Sequence, residues 1–229
     1  MSQQISRNIQ SAIYALQEGR FVLVHDSSKR ENEVDLVVAS QFITPNHIVE
    51  MRKQAGGLIC TCIENEVAKN IGLQYMHDTL FLSNSFDRDL KNMIYGVTPY
   101  GDHPTFSMWI NHKSARTGIT DLDRAQTVRS VSSICDMAPE YQKEIFIASF
   151  KTPGHVPLLV AKEGLLENRQ GHTELSIFLA KLAGLVPCTA ICEMIDSENH
   201  AAMSVEKAQK YSTNNNMPFL DLNEILDWT

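Results

Sequence analysis

Phe21-Val22-Leu23-Val24-His25-Asp26-Ser27-Ser28-Lys29-Arg30-Glu31-Asn32-Glu33-Val34-Asp35-Leu36-Val37-Val38-Ala39 consists of two apolar runs separated by a segment dense in charge. Phe21 to His25 and Val34 to Ser40 are short, rich in β-branched residues and bounded by polar positions, so both read as buried strands. Asp26, Glu31, Glu33 and Asp35 supply four carboxylates between them, with Lys29 and Arg30 as cations. The chain therefore holds a charged loop open between two strands.

Upstream, Ile5, Ile9, Ile13 and Leu16 recur at helical spacing with Gly19 behind them, which predicts an amphipathic helix over 4–18. Downstream, Thr44-Pro45 supplies an N-cap and first-turn pair for a helix through Gln54, and Gly56-Gly57 ends it. Leu58 to Ile63 reads as a third strand and 65–71 as a short helix. From Gln74 to Pro104 periodicity is weak and turn formers are frequent, so no element is assigned there. Phe106 to Asn111 alternates as a strand. Thr120 with Asp123 resembles a capping box opening a helix from Asp121 to Cys135. Pro153-Gly154 is expected to break the chain ahead of a strand from His155 to Ala161. A helix over His172–Leu182, a strand over Pro187–Met194, a helix capped by Ser204 and a short one capped by Asp221 complete the order. This alternation, free of internal repeats, predicts an α/β (α+β) fold with three α-β-α layers around a mixed sheet.

At 229 residues, with 43% apolar and 21% charged residues, the chain is expected to form a single domain over 1–229. No apolar stretch reaches the length of a membrane span. Met1-Ser2-Gln3-Gln4-Ile5 lacks the features of a secretion signal, so a cytoplasmic location is expected. Five cysteines without a CxxC pair suit reduced thiols, and Cys188 and Cys192, four apart in a strand, share one face as packing residues. The formal charge of −7 disfavours a broad nucleic-acid surface but leaves room for a small anionic ligand in a local cationic pocket.

The acidic loop offers oxygens of the kind that hold Mg²⁺, because Glu31, Glu33 and Asp35 alternate and in an extended segment would project to one side. Such crowding calls for a cation or a shared proton. Far along the chain, Arg169-Gln170-Gly171-His172-Thr173-Glu174 opens a predicted helix, so a guanidinium, a hydroxyl and free backbone N–H groups can converge on a phosphate while His172 offers a metal ligand. His155 begins one strand and Glu193 ends another, and the pair suits acid and base roles.

Six separated pieces occur here in one order: Arg30-Glu31-Asn32-Glu33-x-Asp35, Gly57-Leu58-Ile59-Cys60, Thr117-Gly118-Ile119-Thr120 with Asp123-Arg124-Ala125, Pro153-Gly154-His155-Val156, Arg169-x-Gly171-His172-Thr173-Glu174 and Cys192-Glu193. In this, the chain resembles the 3,4-dihydroxy-2-butanone 4-phosphate synthases of riboflavin biosynthesis, in their short, standalone, archaeal-type form. The resemblance implies conversion of D-ribulose 5-phosphate to formate and L-3,4-dihydroxy-2-butanone 4-phosphate with Mg²⁺ or Mn²⁺. It implies Glu31 and His172 as metal ligands, with Arg30, Glu31, Asp35, Thr117, Arg169, Gly171, His172, Thr173, Glu193 and Cys60 around the substrate. His155 and Glu193 would be the proton-transfer residues, with Glu33 and Asp26 beside them. The partners implied are a sugar phosphate and a second copy of the chain, a homodimer with its sites near the interface, and neither nucleic acid nor membrane. Two positions depart from the pattern, since Val34 stands where bacterial members usually have glycine and Val160 where an arginine often occurs.

Chemically, a divalent cation on neighbouring substrate oxygens would stabilise the enediolate formed by proton removal beside the carbonyl, and the acidic loop would serve as a lid. A sugar-phosphate isomerase or aldolase would share the first step and release no formate. An RNA-binding module is a further alternative that the acidic balance disfavours.

Overall fold

In a computed structural model, which describes residues 7–94 and 98–227, the two apolar runs that flank the charged loop are adjacent antiparallel strands. Helix α1 (Arg7–Gln17) buries Ile9, Ala12, Ala15 and Leu16 and ends at Gly19, whose φ of 67° is the left-handed conformation that closes a helix at least cost in glycine. The first four residues of the predicted helix lie outside or at the edge of the described residues. Strands β1 (Val22–His25) and β2 (Val34–Ala39) are buried at every position. Helix α2 (Pro45–Gln54) starts at a capping box in which Thr44 and His47 satisfy each other's exposed groups. Next come β3 (Cys60–Ile63) and α3 (Asn65–Ile71).

The segment that shows no periodicity forms two single-sided helices, α4 (Met76–Leu82) and α5 (Arg88–Ile94), neither with a buried residue. After them stand β4 (Phe106–His112) and α6 (Asp121–Cys135), where Thr120 Oγ1 accepts from the Asp123 N–H at 3.1 Å, a cap that contributes about 1 kcal/mol. Helix α7 (Pro139–Ser149), with proline in its first turn and Phe146 buried, is absent from the sequence reading. Strand β5 (Phe150–Val160) corrects a second boundary, because it begins five residues before His155. Pro153-Gly154 does interrupt pairing, since Ile110 faces Val156 while Asn111 faces Lys151, leaving 152–155 bulged outward. Helix α8 (His172–Leu182) and β6 (Cys188–Glu193) match expectation. The small ladder β7 (Ile195–Asp196) with β8 (Ala201–Ala202), helix α9 (Val205–Asn214), edge strand β9 (Phe219–Asp221) and α10 (Leu222–Leu226) follow.

The main sheet runs β4-β5-β3-β6-β2-β1-β9, with parallel pairs at β1·β9 and β3·β5 and antiparallel pairs elsewhere. One face packs Val22, Val24, Val37, Cys60 and Ile191 against α1, α8 and α10. The opposite face packs Leu36, Val38 and Cys192 against α2, α6 and α9, and Ile63, Leu158 and Val160 against α3 and α7. These are the expected three layers around a mixed sheet. Val34 is fully buried and its carbonyl accepts from Met194 N–H at 2.8 Å, so valine pins the end of the charged loop into the sheet. Val160 is 3% exposed in the apolar layer under α3 and α7, where an arginine would place a charge without water. No helix among the described residues is long and apolar enough to cross a membrane.

Candidate active site

Asp26 shapes the charged loop. Its fully buried carboxylate accepts from the backbone N–H groups of Glu31 at 2.9 Å and Glu33 at 3.1 Å, and pairs with Arg30 at 3.3 Å. Asn32 takes a φ of 56°, so Glu31 to Asp35 is bent rather than extended as the alternation suggested. The bend still gathers the acids, because it turns Glu31 toward the start of α8 while Asp35 stays in β2.

His172 sits in the first turn of α8 and meets that bend although it lies 141 positions further along the chain. Its Nδ1 lies 3.1 Å from Glu31 Oε2, and its Nε2 lies 3.2 Å from the Glu33 carbonyl and 3.7 Å from Asp35 Oδ1. The two distant motifs are therefore one site. Asp35 stands opposite Glu193 in the β2·β6 ladder, and like charges so placed repel unless a proton or cation intervenes. Burial raises the pKa of Glu33, Asp35 and Glu193, reinforced in each by neighbouring carboxylates. Glu31 goes the other way: burial opposes ionisation, but hydrogen bonds with His172 and with the Tyr100 hydroxyl at 2.6 Å outweigh it and bring its pKa to about 2. For His172 burial disfavours the cation, yet Asp35, Glu31 and Asp26 raise its pKa to about 10.

The donor set fits a divalent cation. Ligand atoms of Asp26, Glu31 and His172 lie within 4.8 Å of one another, and Asp35 Oδ1 is buried without a hydrogen-bond partner. Asp26 is engaged by two backbone N–H groups, whereas Glu31 and His172 are bonded through side chains, to Tyr100 and to each other. The Glu33 carbonyl accepts from Nε2–H, so Nδ1 is the ring nitrogen that faces the carboxylates of Asp26 and Glu31.

Beside this cluster is a cationic end. Arg169 pairs with the fully buried Glu174 at 2.5 Å, while Thr173 Oγ1 lies 2.9 Å from Thr105 Oγ1. The first intrahelical bond of α8 runs from Leu175 to Gly171, so the N–H groups of His172, Thr173 and Glu174 precede it as free donors. A Cβ at Gly171 would come within 2.2 Å of Arg169 Nη1, so a side chain there would push the guanidinium from its present place. Glu31, Asp35, Arg169, His172, Thr173 and Glu193 line one cavity of about 80 Å³. A wider cleft of about 440 Å³ between α3 and α4 has no histidine–carboxylate pair in its lining.

His155 and Thr117 line a different surface. The bulge of β5 exposes His155, and Asn111 holds it: Asn111 Oδ1 accepts from the His155 N–H at 2.8 Å and Nδ2 lies 3.1 Å from His155 Nδ1. The Thr117 carbonyl accepts from the same Asn111 at 3.5 Å, and Asp123 gathers Gly118 N–H at 2.9 Å. Cys60 is buried beneath the pocket rather than lining it, and burial pushes its thiol well above the usual range, so it is a neutral group. Sequence reasoning passed over Tyr100, Asp102, Thr105 and Asn111. The first two sit in a turn with no periodic signal, and the last two read as ordinary polar positions around a strand.

Comparison with known proteins shows the family and the fold. The family model for 3,4-dihydroxy-2-butanone 4-phosphate synthase matches residues 10–228. A protein of that name from Methanosarcina acetivorans is 38% identical over 98% of this chain and 93% of its own length, and one from Methanothermobacter thermautotrophicus is 38% identical over 96% and 94%. The crystal structure of the Candida albicans synthase superposes with a TM-score of 0.76 at 26% identity, covering 98% of each chain. A synthase crystallised with two magnesium ions superposes at 0.75 with 25% identity, over 95% of this chain and 94% of that one.

Proposed function

Since the chain belongs to the 3,4-dihydroxy-2-butanone 4-phosphate synthase family, which converts ribulose 5-phosphate in riboflavin biosynthesis, we propose that it carries out this reaction with Glu31 and His172 as ligands of Mg²⁺ or Mn²⁺. The observation that carries the assignment is the 3.1 Å approach of His172 Nδ1 to Glu31 beside the Arg169 and Thr173 end of α8. When bound, a divalent cation supplies Lewis-acid polarisation of neighbouring carbonyl and hydroxyl oxygens.

The remaining work falls to side chains. Arg169, Thr173 and the free N–H groups of α8, over the close-packed Gly171, take the phosphate, with Arg30 alongside. Glu193 and Asp35 share a buried, proton-rich environment, which suits Glu193 to hold a proton and return it as the carbon skeleton rearranges. His155 presents Nε2 outward while Asn111 occupies Nδ1, so Nε2 exchanges protons with the carbon and hydroxyl groups beside the carbonyl. Glu33 adds a third carboxylate of raised pKa, Thr117 orients the His155 side, and Asp26 positions the loop. Incubation with ribulose 5-phosphate and Mg²⁺ should release formate, and EDTA should stop it. Turnover to another pentose phosphate without formate would contradict the assignment.

The working form is a homodimer in the cytoplasm whose sites lie near the subunit boundary, with His155 and Thr117 of one protomer completing the pocket of the other. His155 is exposed and outside the lining of its own chain's cavity, and Ile119, Leu122 and Ile147 are 52%, 71% and 61% exposed. Mixing two inactive variants, H155S and H172A, should recover roughly a quarter of normal activity, because half the dimers are mixed and each has one intact site. No recovery after subunit exchange would place the whole site within one chain.

Ion binding must displace a proton from His172. A histidine with its pKa raised to about 10 stabilises the fold fully below its ordinary value and loses that contribution as pH rises through 10. The raised pKa values of Glu33, Asp35 and Glu193 act in the same sense. In EDTA the Tm should therefore fall between pH 6.5 and 10, and Mg²⁺ should restore more of it at the alkaline end. A Tm that rises with pH in EDTA would contradict this charge arrangement.

A further inference from the structure

The turn Thr98–Asp102 lies outside every motif used so far, yet it reaches both arginines of the cationic end. Asp102 Oδ2 accepts from Arg30 Nη2 at 2.9 Å and from Arg169 Nε at 2.8 Å. Each arginine also has a partner that is fully buried, Asp26 for Arg30 and Glu174 for Arg169. Asp102 is the surplus anion. Its side chain is 27% exposed, against 0% for both Asp26 and Glu174. A single oxygen bridging two guanidinium groups at the start of a helix is the arrangement a phosphate oxygen makes.

The turn is built as a closed unit. Thr98 Oγ1 donates to the Asp102 carbonyl at 2.9 Å and to Oδ1 at 3.1 Å, Thr98 N–H donates to the same carbonyl at 3.0 Å, and Gly101 at a φ of 91° closes it. Tyr100 in the same turn donates to Glu31 and lies under the Arg30 guanidinium at 4.6 Å. The cavity that Arg169 and Glu31 line, about 80 Å³, falls well short of the several hundred Å³ that small-molecule sites occupy. A pentulose phosphate enters only if something leaves.

We propose that Asp102 is an internal stand-in for the substrate's phosphate, holding Arg30 and Arg169 in parallel in the ligand-free enzyme, and that a phosphoryl group displaces it and swings the turn 98–102 off the site. This rests on the phosphate-binding reading of Arg169 and Thr173. It makes Asp102 a specificity-determining residue. A phosphoryl dianion regains both guanidinium contacts after expelling the carboxylate, whereas an unphosphorylated sugar offers nothing to replace the ion pairs it would break.

Inorganic phosphate is the probe, titrated calorimetrically into wild type and D102N in the absence of turnover. D102N should bind phosphate on the order of tenfold more tightly, the factor expected when a site open about one-tenth of the time becomes permanently open. In wild type, saturating phosphate should speed amide hydrogen exchange across 98–102, while D-ribulose should leave it unchanged. Weaker or equal phosphate binding by folded D102N would assign Asp102 a structural role and overturn the proposal, as would slower or unchanged exchange in wild type. If phosphate binds neither protein and R169A has normal KM, the phosphate-binding reading itself fails, an outcome distinct from loss of the displacement alone.

Discussion

Substitution of serine for His155 is expected to lower formate release by about 10²–10⁴-fold, the range that a positioned acid–base group supplies. The fold should survive. His155 is exposed on the bulge of β5 and its backbone N–H, which a serine retains, makes the bond to Asn111 Oδ1. Surface changes of this kind stay within about 0.5 kcal/mol, so the Tm should move by only a few degrees. Mg²⁺ affinity should also be normal, since His155 lies outside the Glu31–His172 cluster. Near-normal formate release by a folded H155S protein would remove His155 from the mechanism.

The second large effect is expected at His172, where alanine should weaken Mg²⁺ binding by more than the roughly 10–100-fold typical of losing a supporting outer-shell group. Turnover should fall with it. This variant also removes the cation that Glu31 and Asp35 face, leaving buried carboxylates to protonate or repel. Its Tm in EDTA should therefore drop at neutral pH, unlike that of H155S, and the alkaline loss of stability expected in wild type should flatten. Calorimetric Mg²⁺ titration and Tm measured against pH separate the two histidines: one loses chemistry alone, the other loses chemistry, ion and charge balance together. Equal Mg²⁺ affinity in H172A and wild type would exclude His172 as a ligand.

Much of this was legible in the sequence wherever local chemistry is self-sufficient. Thr44-Pro45, Thr120 with Asp123, and Gly19 each satisfy a helix end by themselves, and the structure begins or ends a helix at each. The juxtaposition of Glu31 with His172 came through the resemblance of ordered motifs, because nothing in the spacing of two turns so far apart says that β2, β6 and α8 will bring them together. Other parts went unread for other reasons. Helices α4 and α5 bury no residue, so they leave no apolar stripe to detect, and the three-residue β9 is specified by pairing with β1 rather than by its own composition. Asp102 was invisible for a related reason: its role comes from two arginines supplied by separate turns. The bend at Asn32 shows the limit of alternation as evidence, since one left-handed residue redirects Glu31 while leaving the acids gathered.

The most direct test is a crystal of the protein grown with Mn²⁺ and measured at the manganese absorption edge. The account predicts an anomalous peak within about 2.5 Å of both a Glu31 carboxylate oxygen and His172 Nδ1, adjoining the cavity that Arg169 and Thr173 line. A peak held by other residues, with Glu31 and His172 still joined to each other and free of the ion, would contradict it.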